Sequence, residues 1–286
     1  MAHFQEIEGL SEIQGSYEAI LCDVWGVIHN GRQAFEAACD ALVEFRNRGK
    51  AVVLITNAPV PKSQVIRYFE PLGVPETAYD DCVSSGDATR AVLRRFEGQR
   101  VWVMGIDFGF VGDRALWEGL DLTLVDGPDA QAFLCMGLDD SENDDPEDYR
   151  DRLKMGVDAG LSMICANPDI QVRVGNKLVW CAGALARIYE ALGGTVQYPG
   201  KPYGAIYALA REKLTEMGVS SFDRGILAIG DGPVTDILGA NREGIDSLYV
   251  GSGLAADSEA DFTTDTAKRL ADAGVTATYA MPSLRW

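Results

Sequence analysis

The stretch "AILCDVWGVIHNG", residues 19–31, decides how the rest of the chain is read. A continuous apolar run, Ala19 to Cys22, ends on a lone carboxylate, Asp23, followed by Trp25, Gly26 and the turn-like His29-Asn30-Gly31. A short run apolar at every position is the pattern of a parallel strand buried on both faces. An acid presented just beyond such a strand lies on the sheet edge where open α/β proteins bind ligands.

Working outward, "AFEAACDALVEFRNRGK" places Phe35, Ala38, Leu42 and Phe45 on one helical face, with Gly49 as a C-cap. "AVVLIT" (51–56) is a second continuous apolar strand, and "PKSQVIRYFEPLG" is a helix carrying Val65, Ile66, Phe69 and Leu72. Further on, "VWVMG", "LTLV", "AFLCMG" and "SMICAN" read as strands, with a helix in "PEDYRDRLKMGVDAG" and another in "CAGALARIYEALGG". Then follow the helix "YGAIYALAREKLTEMG", the strand and turn "ILAIGDG", the helix "TDILGANREG" and the strand "DSLYVGSG". This alternation predicts an α/β fold with a doubly wound, Rossmann-like parallel sheet. Ser84 to Gly194 is long enough to form its own α/β domain, so the core is expected from residues 1–83 and 195–286, with 84–194 as an insertion.

Bulk properties narrow the function. The 25 basic and 43 acidic side chains give a formal net charge of -18, which repels nucleic acid and anionic membrane surfaces alike. Six scattered cysteines (Cys22, Cys39, Cys82, Cys135, Cys165, Cys181) without a CxxC read as free thiols in a reducing compartment. The opening lacks a signal-peptide pattern and no run is long enough to span a membrane, so a soluble cytoplasmic protein is expected. The acidic run 139–151 lacks the sixth-position glycine and terminal Glu of a calcium loop, and reads as a solvated loop entering a helix.

Four segments share one setting, at the C-terminal end of a predicted strand or at the start of a helix. They are Asp23, Thr56-Asn57, Lys201 in "PGKPYG", and "GDGPVTD" with Asp231 and Asp236. Each has an ordinary reading when taken alone: a turn former, a loop residue, a surface lysine or a helix cap. Together they supply a carboxylate nucleophile, donors for anion oxygens, a cation and a pair of metal-binding acids. Phosphoryl transfer requires those parts, because its chemistry is mainly positioning and charge neutralisation.

The order DxxGV, then TN after a strand, then K opening a helix, then GDxxxTD resembles the haloacid dehalogenase-like (HAD) superfamily. The large insertion, with "SSGDAT", "ANPD" and "GKPY", is similar to its class IIA (NagD-type) branch of phosphatases, which carry an α/β cap there. The resemblance implies a Mg2+-dependent phosphatase acting on a small phosphorylated metabolite through an aspartyl-phosphate on Asp23. It implies Thr56, Asn57 and Lys201 as phosphate-binding groups, with Lys201 also neutralising charge. Asp23, Asp231, Asp236 and the backbone carbonyl of Trp25 would be metal ligands, and Asn167 and Asp169 substrate contacts from the cap. Caps of this class often sit at dimer interfaces, so a homodimer is an expectation. His29 reads equally as a turn-stabilising residue or a substrate contact.

Trp25 departs from the pattern. Ordinary phosphatases of the superfamily place a second Asp there, which protonates the leaving oxygen and later activates water. Indole only donates a weakly acidic N–H. General acid–base assistance is worth roughly 10²–10⁴-fold. Three readings follow: a phosphatase limited to good leaving groups or borrowing an acid from the cap or substrate, a metal-independent dehalogenase, or a non-catalytic phosphometabolite-binding relative.

Overall fold

The computed structural model describes residues 4–105, 113–174, 177–219, 222, 225–251 and 262–286. The opening apolar run forms β2 (Ala19–Cys22), with all four residues buried. It pairs in parallel with β3 (Ala51–Thr56), which pairs with β4 (Asp81–Ser84). On its other side β2 pairs with β12 (Ile226–Gly230), followed outward by β13 (Asp246–Val250), β14 (Tyr279–Met281) and the two-residue β1 (Gln5–Glu6). The result is a seven-stranded, all-parallel sheet built from two chain segments. The last two residues of the predicted strand "DSLYVGSG" lie outside the described residues.

Successive residues of a strand face opposite sides of a sheet, and both sides of this one are covered. Ile20 and Cys22 pack with Leu42 and Phe45 of α1 (Glu36–Arg46) and with Val65 and Phe69 of α2 (Lys62–Leu72). Ala19 and Leu21 pack with Ile206, Tyr207 and Ala210 of α6 (Gly204–Glu216) and with Ala240 of α7 (Leu238–Glu243). This is a doubly wound sheet, and it explains why the strands are apolar at every position.

A second, five-stranded parallel sheet has the order β11-β8-β7-β5-β6. Its strands are β5 (Gln99–Met104), β6 (Leu122–Val125), β7 (Ala132–Cys135), β8 (Ser162–Cys165) and β11 (Thr195–Gln197). One face packs on α4 (Arg150–Asp158) and α5 (Ala182–Ala191) through Leu153, Leu185, Ala186 and Tyr189. The helix α3 (Ser85–Leu93) bridges the two sheets, giving Ala88 to the first core and Val92 and Leu93 to the second. Strand β11 pairs with β8, so the returning chain stays in the second sheet three residues beyond Gly194. A two-stranded antiparallel hairpin, β9 (Gln171–Val174) and β10 (Lys177–Trp180), stands apart from both sheets. Among the described residues, no helix is long and apolar enough to cross a membrane. All six cysteines are buried and free.

Candidate active site

Strands β2 and β12 are neighbours, but the chain moves outward from them in opposite directions, β2-β3-β4 and β12-β13-β14. Such a switch point opens a crevice beyond the carboxyl ends of the strands. The Asp23 N–H donates to the Ile229 carbonyl at 2.8 Å, which holds the residue beside β12 at this crevice.

Lys201 brings the acids together. Its Nζ donates to Asp23 Oδ1 at 2.5 Å, to Asp236 Oδ1 at 2.7 Å and to the Ile55 carbonyl at 3.1 Å. All three ammonium hydrogens are thereby used, as a buried cation requires. Lys201, Asp23 and Asp236 are 2 %, 6 % and 5 % exposed, so this triad is buried at the cleft wall with little access to solvent. Asn57 fixes the lysine's main chain: its Oδ1 accepts the Lys201 N–H at 2.7 Å, and its Nδ2 donates to the Lys201 carbonyl at 3.2 Å. Thr56 is buried beside it, and its Oγ1 accepts the Ala58 N–H at 3.2 Å.

Asp231 completes the cluster. One oxygen from each of Asp23, Asp231 and Asp236 lies within 4.8 Å of the others. Gly26 makes this approach possible. It has φ +89°, and a Cβ there would sit 2.3 Å from Asp231 Oδ2. The Asp236 carboxylate also accepts the Gly232 N–H at 3.0 Å, within the π-helical turn Pro233–Ile237 that precedes α7.

The electrostatics follow from crowding three acids around one ammonium. Burial pushes the Asp23 carboxyl up to about 7, against the opposing pull of Lys201. Burial and the neighbouring Asp23 and Asp236 charges raise Asp231 well above the carboxylate range. Burial works against the Lys201 charge, but Asp23 and Asp236 hold its pKa well above the usual lysine value. Three hard oxygen donors, repelling one another and neutralised by a single ammonium, are a donor set that fits a hard divalent cation.

The triad and its surroundings line a cleft of about 740 Å³ that includes Asp23, Trp25, Thr56, Asn57, Asp169, Lys201, Asp231 and Asp236. Trp25 is tied to the hairpin, its indole N–H donating to the Arg173 carbonyl at 2.8 Å. Its ring packs edge-on against His29 at 5.2 Å and closely covers Gly31, which has φ +79°. One expected contact, Asn167, lies elsewhere. Asn167 is buried outside the cleft lining, and its Oδ1 accepts the Asp169 N–H at 3.0 Å. His29 also stays out of the lining. Its Nδ1 accepts the Gly31 N–H at 3.1 Å, and burial pushes its pKa down to about 4. Both side chains hold a turn through these bonds.

Sequence reading missed the hairpin β9–β10, although "QVRV" and "KLVW" flanking Gly175-Asn176 carried the alternation and turn of one. It also missed Arg173, Arg187, Arg242 and Arg269 in the cleft wall, and Tyr198 stacked on Tyr203 with ring centres 4.7 Å apart. Isolated arginines on separate elements leave no local signal.

Known proteins share this sequence pattern and fold. The haloacid dehalogenase-like hydrolase family matches residues 20–115, and a second HAD-hydrolase-like family matches 198–273. The crystal structure of a haloacid dehalogenase-like hydrolase from Brucella suis superposes with a TM-score of 0.86 at 39% identity, over 97% of this chain and 99% of that one. Ribonucleotide monophosphatase NagD of Escherichia coli is 28% identical over 246 residues, 85% of this chain and 90% of its own length. A glycerol phosphate phosphatase from Mycobacterium tuberculosis, solved in complex with magnesium, superposes with a TM-score of 0.63 at 25% identity, over 85% of this chain and 70% of that one. The chain belongs to the haloacid dehalogenase-like family of hydrolases, in its class IIA branch.

Proposed function

We propose that this protein is a Mg2+-dependent phosphatase that cleaves a small phosphorylated metabolite through an aspartyl-phosphate on Asp23. The observation that carries this reading is the buried Asp23–Lys201–Asp236 triad, with the Asp231 carboxylate within metal-sharing distance. The relatives' names support the substrate class, since they include a ribonucleotide monophosphatase, a sugar-phosphatase and a glycerol phosphate phosphatase.

In this reading Asp23 attacks phosphorus and carries the phosphoryl group until water releases it. Lys201 neutralises charge on the nucleophile and the transferring group. Asn57 positions Lys201, and Thr56 offers its hydroxyl to phosphate oxygens. Asp23, Asp231, Asp236 and the Trp25 carbonyl would hold Mg2+, which when bound supplies charge neutralisation at the phosphoryl oxygens. The three-carboxylate cluster argues against metal-free dehalogenation. We take the unit built on the second sheet as the cap, which excludes water from the cleft. The buried free cysteines support a reducing, cytoplasmic setting.

The test is phosphate release from p-nitrophenyl phosphate, acetyl phosphate and a sugar phosphate, with and without Mg2+. Mg2+-dependent release that disappears in Asp23→Asn is expected. Absence of Mg2+-dependent release from all three would overturn the reading.

A further inference from the structure

An alkyl phosphate cannot lose its alcohol readily unless the leaving oxygen gains a proton, and Trp25 has none to give: its N–H is a very weak acid already bonded to the Arg173 carbonyl. The other cleft acids are nearly all committed. Asp23 and Asp236 are bonded to Lys201, Asp231 belongs to the carboxylate cluster, and Glu190 is exposed to solvent. Asp169 remains.

Asp169 follows β8 in the second sheet, yet it lines the cleft that opens beyond the first. Its main chain is pinned on both sides. Its N–H donates to Asn167 Oδ1 at 3.0 Å, and its carbonyl accepts the Gly183 N–H at 3.1 Å from the first turn of α5. Its side chain is anchored by one oxygen only: Oδ1 accepts a hydrogen bond of 2.9 Å from Asn57 Nδ2. The same amide nitrogen donates to the Lys201 carbonyl, so one asparagine sets the spacing between Asp169 and Lys201. Among the described residues Oδ2 has no hydrogen-bond partner, and Asp169 lines the cleft. A carboxyl held by one oxygen, with the other unpaired on the cleft wall, is placed to give and take a proton there.

We propose that Asp169 is the proton donor to the leaving oxygen, and afterwards the base that activates water. This rests on the phosphatase reading above. In the first half-reaction the Asp23 carboxylate bonds to phosphorus, the phosphorus–oxygen bond to the leaving group breaks, and the proton on Asp169 Oδ2 goes to that oxygen, releasing the alcohol. In the second, Asp169 takes a proton from water as its oxygen attacks phosphorus, releasing phosphate and the Asp23 carboxylate and restoring the Asp169 proton. Burial raises the Asp169 carboxyl above the usual carboxylate range, against Lys201 and the Asn57 amide, which favours the protonated starting form.

The experiment compares kcat/KM, which reports the phosphoryl-transfer half-reaction, for glycerol phosphate and p-nitrophenyl phosphate. In Asp169→Asn the value for glycerol phosphate should fall by roughly 10²–10⁴-fold, the usual worth of a general acid, and that for p-nitrophenyl phosphate by less than about 10-fold. Equal losses on both substrates would assign Asp169 to positioning through Asn57 and overturn the proposal. A second measurement needs no variant: across phosphate esters from nitrophenol to alkyl alcohols, the wild-type kcat/KM should depend only weakly on the leaving group. A wild type that cleaves aryl and acyl phosphates but not alkyl ones would overturn the acid role while leaving the phosphatase reading intact. No phosphate release from any ester would instead sink that underlying reading.

Discussion

Replacing Lys201 with Met removes the only cation that pairs with the Asp23 and Asp236 carboxylates among the described residues, while keeping most of the side-chain volume. In the native protein the ammonium is 2 % exposed and its carboxylate partners 6 % and 5 %. Water therefore compensates poorly for the lost cation. Breaking a buried ion pair from one side costs about 3–5 kcal/mol, because the remaining charge stays buried without compensation. Two carboxylates are stranded here, with Asp231 close by, so the upper half of that range is expected. For a urea m-value of about 3 kcal/mol/M, the midpoint should drop by roughly 1.3–1.7 M.

The pH dependence gives the sign. In Lys201→Met the folded-state pKa values of Asp23 and Asp231, already raised by burial, rise further above their unfolded values of about 4. The penalty is then absent below about pH 4, grows as pH rises above it, and is complete once pH exceeds the raised folded values. Urea melts of wild type and variant at pH 4 and pH 7.5 should therefore nearly converge at the lower pH and separate at the higher. Equal midpoints at pH 7.5 would refute the claim that Lys201 supplies the counter-charge of this cluster.

Three further outcomes are expected. Gly31→Ala combines a left-handed backbone with a Cβ that would lie 2.4 Å from the Trp25 ring, so it should cost about 2–4 kcal/mol; an unchanged thermal midpoint would contradict this. His29 is held neutral, its pKa pushed down to about 4, so its contribution is fully present above about pH 6.5 and is lost as pH falls toward 4. That loss amounts to about 3 kcal/mol, and the corresponding slope in a stability–pH profile should be missing in His29→Gln. Mg2+ at 100 times its dissociation constant should stabilise the wild type by about 2.7 kcal/mol, read as a rise in melting temperature, and Asp231→Asn should lose most of that rise.

The fold was legible where burial leaves a one-dimensional trace. Strands β2, β3 and β12 are covered on both faces, so their sequences are apolar without interruption and easily found. Asp23, Thr56, Asn57, Lys201, Asp231 and Asp236 could be picked out because each sits beside such a strand or opens a helix. What the sequence could not give is orientation on a loop. Asn167 and Asp169 are two residues apart, yet one turns inward to hold the other's N–H while the second reaches the cleft. Nor could it give contacts that close over long separations. The Trp25–Arg173 bond joins residues 148 apart and carries no local pattern. The hairpin that supplies its acceptor packs in neither sheet, so its role shows only in three dimensions.

Two hydrogen bonds reach from the loops of the first sheet to the second unit at this cleft, and they make different predictions. Asn57 to Asp169 places a carboxyl, whereas Trp25 to Arg173 places a backbone carbonyl that has no acid–base chemistry. Trp25→Phe keeps the aromatic packing on His29 but removes the indole's hydrogen bond to the Arg173 carbonyl, at a cost of about 1–2 kcal/mol. Because that cost falls on holding the hairpin at the cleft and not on proton transfer, kcat/KM should drop by roughly 5–30-fold for every phosphate ester, whatever its leaving group. Asp169→Asn should instead separate alkyl from aryl esters. If Trp25→Phe were also selective for leaving group, the indole would be taking part in the proton chemistry, and its assignment as a tether would be wrong.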